Sequence, residues 1–123
     1  MTRTILIVED DPPTQMLLET LVQRYGYESA TATDGSAAID LLGARDFAAV
    51  ILDLMMPRVS GTDVIDYLKR EKKRVPVVVC TAAGPNKIAD IDSDIVGAVV
   101  RKPFDIEALM ATINELVDGA ASR

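Results

Sequence analysis

Near its amino end the chain reads Ile5-Leu6-Ile7-Val8-Glu9-Asp10-Asp11-Pro12-Pro13. Four consecutive apolar side chains without alternation describe a strand covered on both faces, the condition of a parallel sheet flanked by helices. The three carboxylates that follow cannot share that interior, so the strand stops there. Pro12 and Pro13 lack amide protons, which confines them to the first turn of a helix or the loop before it. Strand, acidic turn and helix start make the opening of a β–α unit.

The pattern repeats along the chain. Further apolar runs lie at Tyr27 to Ala32, Ala48 to Leu52, Val75 to Cys80 and Gly97 to Val100. All but the first of these are unbroken, as expected of strands with both faces covered, whereas Glu28, Ser29 and Thr31 mark Tyr27 to Ala32 as an edge strand. Helical spacing separates the runs. Leu17, Leu18, Leu21, Val22 and Tyr25 share one face of a first helix. Asp34 caps a second, carrying Ala37, Ala38, Leu41 and Leu42 and ending near Gly43. Ser60 or Gly61 opens a third, with Val64, Ile65 and Leu68 inward. A fourth is delayed by Gly84-Pro85-Asn86, and Asp90, Asp92, Ser93 and Asp94 are mediocre helix formers. Asp105 caps the last, with Ile106, Leu109, Met110, Ile113 and Leu116 as its stripe and Asp118 to Arg123 as a frayed tail. Strand–helix alternation five times over predicts a doubly wound α/β sandwich with right-handed crossovers, a (βα)5 fold on a five-stranded parallel sheet. In such sheets chemistry sits beyond the carboxyl ends of the strands.

Composition narrows the functions. A chain of 123 residues suits one domain, residues 1–123. Apolar residues at 49% and charged ones at 26% exclude a disordered or fibrous chain. The net charge of −6 disfavours DNA and anionic membranes as partners. One cysteine forms no internal disulfide, and the absence of histidine removes His-dependent triads and the usual zinc ligand. Met1 leads straight toward a strand, and no apolar run approaches a membrane span, so a soluble, reduced, cytoplasmic domain is expected.

At the carboxyl ends of the strands stand Glu9-Asp10-Asp11, Asp53, Thr81 and Arg101-Lys102-Pro103. Clustered carboxylates either hold protons or hold a cation. Oxygen ligands without His or Cys suit a hard ion such as Mg²⁺. A permanent phosphate ligand is disfavoured, because the loop after the first strand offers negative charge and two prolines instead of free amides.

Glu9-Asp10, Asp53, Thr81 and Lys102-Pro103-Phe104, with Met56-Pro57 and Gly61 after the Asp, resemble the response-regulator receiver (CheY-like) domain of two-component signalling, from Arg3 to about Val117. The resemblance implies a flavodoxin-like sheet of order 2-1-3-4-5. It implies that Asp53 is the phosphoacceptor, taking a phosphoryl group from a histidine kinase or histidine phosphotransfer protein as an acyl phosphate. It implies Mg²⁺ as cofactor, with Asp10 a direct ligand, Glu9 acting through bound water, and Asp53 and the Met55 carbonyl beside them. Lys102 would contact Asp53 before transfer and the phosphoryl oxygen afterwards, with Pro103 the site of a cis peptide bond. Thr81 would bond the phosphoryl group and carry the switch that alters partner binding. Such a domain assists its own phosphorylation and dephosphorylation and is not a free-standing enzyme. Met55 and Ala83 would tune hydrolysis, and a dimer could pair through the fourth helix, fifth strand and last helix.

The chain departs from the family pattern at Val99, where an aromatic switch residue is usual, and at Glu9, where Asp is commoner. Three rival readings compete with this one. An aspartate-nucleophile phosphatase wants a second acid two residues after the nucleophile, and position 55 is Met. A non-phosphorylated interaction module would not need the acids with Thr81 and Lys102. A receiver cut from a longer regulator could serve a DNA-binding or enzymatic output domain. The run Lys69-Arg70-Glu71-Lys72-Lys73-Arg74 is expected to be a solvated helix end that complements the dipole, and Cys80 a core residue.

Overall fold

The computed structural model describes residues 3–56, 59–82, 84, 86, 88 and 91–121. Its elements, in chain order, are β1 (Thr4–Val8), α1 (Pro12–Arg24), β2 (Glu28–Ala32), α2 (Gly35–Ala44), β3 (Ala49–Leu52), α3 (Gly61–Arg70), β4 (Val77–Thr81), β5 (Val96–Arg101) and α4 (Ile106–Ala121). All five strands run parallel in the order β2-β1-β3-β4-β5, the doubly wound, flavodoxin-like arrangement expected from the alternation and the resemblance.

The unbroken apolar runs have a direct explanation in two cores. Leu6 and Val8 of β1, Val50 and Leu52 of β3, and Val77 and Val79 of β4 face α2 and α3, where they meet Ala38, Leu42, Val64, Ile65 and Leu68. Their neighbours Ile5, Ile7, Ala49, Ile51, Val78 and Cys80 face the opposite way, onto Leu18, Leu21 and Val22 of α1 and Leu109, Met110 and Ile113 of α4. Each position of β1, β3 and β4 is therefore buried whichever way it points, and each such aliphatic side chain contributes about 1.5–3 kcal/mol by leaving water.

The helix caps match the sequence. Pro12 and Pro13 occupy the first turn of α1, and Asp11 accepts from the Thr14 amide at 3.2 Å. Asp34 accepts from the Ala37 amide at 2.8 Å, and Asp105 from the Ala108 amide at 3.0 Å. At α3 the Asp63 carboxylate accepts from the Ser60 amide at 2.9 Å and the Ser60 hydroxyl at 3.2 Å. These bonds satisfy first-turn donors that have no intrahelical partner.

Four expectations need correction. The run at Gly97 to Val100 is not covered on both faces: β5 is the second edge of the sheet, and burial alternates along it, leaving Val99 38% exposed. Leu17 and Tyr25 do not complete the α1 face; Leu17 lies on its outward flank and Tyr25 is the C-cap, past the helical phase. On α4 the first-turn Ile106 is exposed, and beyond Ile113 the buried Val117 joins the partly buried Leu116 on the core. The same helix runs through Ala121, beyond the tail start expected at Asp118, because its buried stripe reaches Val117 and carries the last turn with it. The expected helix after Thr81 falls largely outside the described residues, as do Pro57, Ala83, Pro85 and Asp90. Within that stretch Asn86 and Ile88 are helical, and the Ile88 amide donates to the Gly84 carbonyl at 3.2 Å.

Candidate functional site

The sheet register delivers the acids to one edge. Val8 pairs with Leu52, so the next residues, Glu9 and Asp53, leave adjacent strands side by side. The Asp53 amide donates to the Val8 carbonyl at 3.0 Å, and the Glu9 amide to the Ala32 carbonyl at 3.0 Å, which continues the ladders into the site. On the other flank Thr81 pairs with Arg101, and the Lys102 amide donates to the Thr81 carbonyl at 2.9 Å. Backbone pairing thus places Glu9, Asp53, Thr81 and Lys102 at one end of the sheet, with Asp10 at its mouth. The Lys102–Pro103 peptide bond is cis.

Glu9 is 2% exposed, Asp53 5%, and Thr81 fully buried, while Asp10 is exposed. One carboxylate oxygen from each of Glu9, Asp10 and Asp53 lies within 4.8 Å of the other two. Asp11, from the same acidic turn, is spent on capping α1. Asp53 Oδ1 accepts from the Met55 amide at 3.1 Å, and Glu9 Oε2 from the Asp11 amide at 3.3 Å. Lys102 supplies the facing positive charge: its Nζ donates to Glu9 Oε1, and Asp53 Oδ2 lies 3.5 Å away. Lys102 thus contacts both carboxylates: Asp53, the partner that the resemblance implies, and Glu9, a second partner that the longer Glu side chain brings within reach.

Burial raises the Glu9 carboxyl to about 6, aided by the Asp53 charge and opposed by the Lys102 hydrogen bond. For Lys102, burial pulls downward, but the bond to Glu9 and the charges of Asp53 and Glu9 outweigh it and leave the ammonium raised. Cys80, buried on β4, has its thiol pushed up to about 11, chiefly by burial, and is a core residue rather than a nucleophile. Among the described residues, the three clustered carboxylates offer only oxygen donors, with Lys102 paired to two of them. That donor set fits a hard divalent cation such as Mg²⁺ and offers nothing to a softer metal.

Two supports escaped the sequence reading. Gln15 Nε2 donates to the Glu9 carbonyl at 3.0 Å, tying α1 to the acidic turn. Its place in the first turn of α1, above the strand end, is the signal that points to it. Gly61 reads as an ordinary turn residue, yet a Cβ there would lie 2.3 Å from the Asp53 carbonyl oxygen and 2.8 Å from the Leu54 Cα. The start of α3 therefore rests directly on the backbone of Asp53, and only glycine fits. Gly35 makes a similar contact: its amide donates to the Val59 carbonyl at 2.8 Å, and a Cβ would lie 2.5 Å from that oxygen. The described parts of the loop after β3 are thus held at Asp53 and Leu54 by Gly61 and at Val59 by Gly35.

Known proteins resemble this chain in sequence and fold. The profile of the response regulator receiver domain matches residues 5–114. The chain is 34% identical over 91% of its length to the transcriptional regulatory protein TcrA of Mycobacterium tuberculosis, covering 45% of that protein. It is 35% identical over 92% of its length to the response regulator SaeR of Staphylococcus aureus, covering 50% of it. The chain thus spans about half the length of these curated relatives. Among solved structures, response regulator TrrA of Thermotoga maritima, crystallised in complex with Mg(2+)-BeF, superposes with a TM-score of 0.85 at 30% identity, covering 94% of this chain and 99% of that one. A CheY-like receiver domain protein of Methanospirillum hungatei gives a TM-score of 0.92 over 99% of this chain and 98% of its own, at 20% identity, a likeness of fold. With the profile spanning nearly the whole sheet and the acids at its edge, the chain belongs to the response regulator receiver domain family of two-component signalling.

Proposed function

We propose that Asp53 is the phosphoacceptor of this receiver and that Glu9, Asp10, Asp53 and the Met55 carbonyl hold Mg²⁺ beside it. The observation that carries the reading is the clustering of two buried carboxylates and one exposed carboxylate at the sheet edge, the two buried ones paired with Lys102. The Mg(2+)-BeF complex of the Thermotoga relative supports the choice of cation. Asp53 attacks the phosphorus of a phosphohistidine on a histidine kinase or phosphotransfer protein; the new bond joins phosphorus to the Asp53 oxygen and the histidine nitrogen leaves. The bound cation supplies neutralisation of charge at the phosphoryl oxygens. The Met55 amide, donating to Asp53 Oδ1, orients the carboxylate so that Oδ2 faces Lys102. Lys102 provides the ammonium for the transferred group, and Thr81, buried at the end of β4, provides the hydroxyl.

The consequence of phosphorylation is a change in partner binding, and Val99 at the usual aromatic position requires a route other than aromatic burial. The relatives extend well beyond the matched region, and TcrA is named a transcriptional regulatory protein. A receiver that governs an output segment elsewhere in the full-length protein suits that length difference. The test is transfer from a radiolabelled phosphohistidine donor. Label on the wild type that is lost with EDTA and with Asp53→Asn supports the reading; label that survives Asp53→Asn overturns it.

A further inference from the structure

The acidic turn that follows β1 is fastened at the backbone on both sides of Asp10. The Glu9 amide donates to the Ala32 carbonyl at 3.0 Å, and the Asp11 amide to Glu9 Oε2 at 3.3 Å. Two further bonds come from a single residue of α1. Gln15 donates through its side-chain Nε2 to the Glu9 carbonyl at 3.0 Å and through its own amide to the Asp11 carbonyl at 2.9 Å. The first of these fixes the peptide plane between Glu9 and Asp10, since that carbonyl belongs to it. Asp11 is also held through its carboxylate, which accepts from the Thr14 amide at 3.2 Å. Asp10 differs: its exposed carboxylate has no hydrogen-bond or ion-pair partner among the described residues. Its placement beside Glu9 and Asp53 therefore depends on the backbone that carries it.

We propose, resting on the reading of Glu9, Asp10 and Asp53 as cation ligands, that Gln15 is a positioning residue for that site. It holds the Glu9–Asp10 peptide so that an Asp10 oxygen already lies within 4.8 Å of its neighbours' oxygens before an ion arrives. Without this tether the plane gains freedom, and ordering it on binding is subtracted from the affinity. Groups that orient metal ligands from behind commonly carry about tenfold to a hundredfold of the affinity. The donor itself is well anchored, because Leu18, Leu21 and Val22 bury the same helix against the sheet. Packing of α1 is thereby converted into the geometry of the acidic turn.

The test uses Gln15→Met, which keeps an unbranched side chain of similar helix propensity and loses the donor. Gln15→Asn is the second variant, because it keeps the amide and shortens only the reach. Gln23→Met is the control: it removes a comparable bond at the other end of α1, from Gln23 Nε2 to the Ser29 hydroxyl at 2.9 Å. Mg²⁺ titrations of the full chain, followed by NMR, should give a Kd about tenfold higher in both Gln15 variants and unchanged in Gln23→Met. In the metal-free chain the Glu9 carbonyl-carbon resonance should move in both Gln15 variants and stay in place in the control. Wild-type affinity in Gln15→Met, an equal loss in all three variants, or an unmoved Glu9 carbonyl overturns the proposal. A wild type that binds no Mg²⁺ overturns the cation reading itself, and so is told apart from a failure at Gln15 alone.

Discussion

At the scale of single residues, Glu9 sets the behaviour of the site. Its carboxyl, raised from 4.5 to about 6 mainly by burial, keeps a proton in the folded chain that the unfolded chain has lost. Between those values the native state binds more protons, so this group's contribution to stability falls as pH rises from about 4.5 to 6. Unfolding free energies from urea titrations across this window should therefore decline more for wild type than for Glu9→Gln, by on the order of 1–2 kcal/mol. Parallel pH profiles would contradict the burial argument. The acids, Thr81 and Lys102 were legible in the sequence because a strand end is a one-dimensional landmark. The pairing of Lys102 with Glu9 was not, since it depends on the reach of Glu9 across two strands.

At the scale of elements, the β3–α3 connection is the part whose shape the site depends on. Gly61→Ala would push a methyl into the Asp53 carbonyl, with a cost of about 1–3 kcal/mol and a slower phosphorylation of Asp53. Gly119→Ala is the control: nothing lies within 4 Å of its added Cβ, and the helix should gain up to about 1 kcal/mol with unchanged phosphorylation. Chemical denaturation with phosphorylation rates checks both. A Gly61→Ala protein as stable and as active as wild type would contradict this contact. Sequence periodicity located each of these elements but not the close approach at Gly61, because a backbone contact between elements leaves no period. It also placed Leu17 and Ile106 inward, since an apolar side chain on the flank of a helix scans like one at its centre. Gly97 to Val100 scans as a buried strand for the same reason: which strand ends at the edge of the sheet is decided by topology, not by composition.

For the whole molecule, the two cores on either face of the sheet hold the strand ends in register, and the site is what that register produces. Anything that binds this edge in the native state must stabilise the fold. Mg²⁺ at a hundredfold excess over its Kd should raise Tm by roughly 10 °C, an effect reversed by EDTA and diminished in Asp10→Asn. A Tm indifferent to Mg²⁺ would argue against a cation at the acidic edge. The most direct measurement is intact mass after incubation with a small-molecule phosphodonor, with and without Mg²⁺, for wild type and Asp53→Asn. One phosphoryl adduct, dependent on both Mg²⁺ and Asp53, is the predicted result; folded wild-type protein with no adduct, or an adduct that persists in Asp53→Asn, would contradict it.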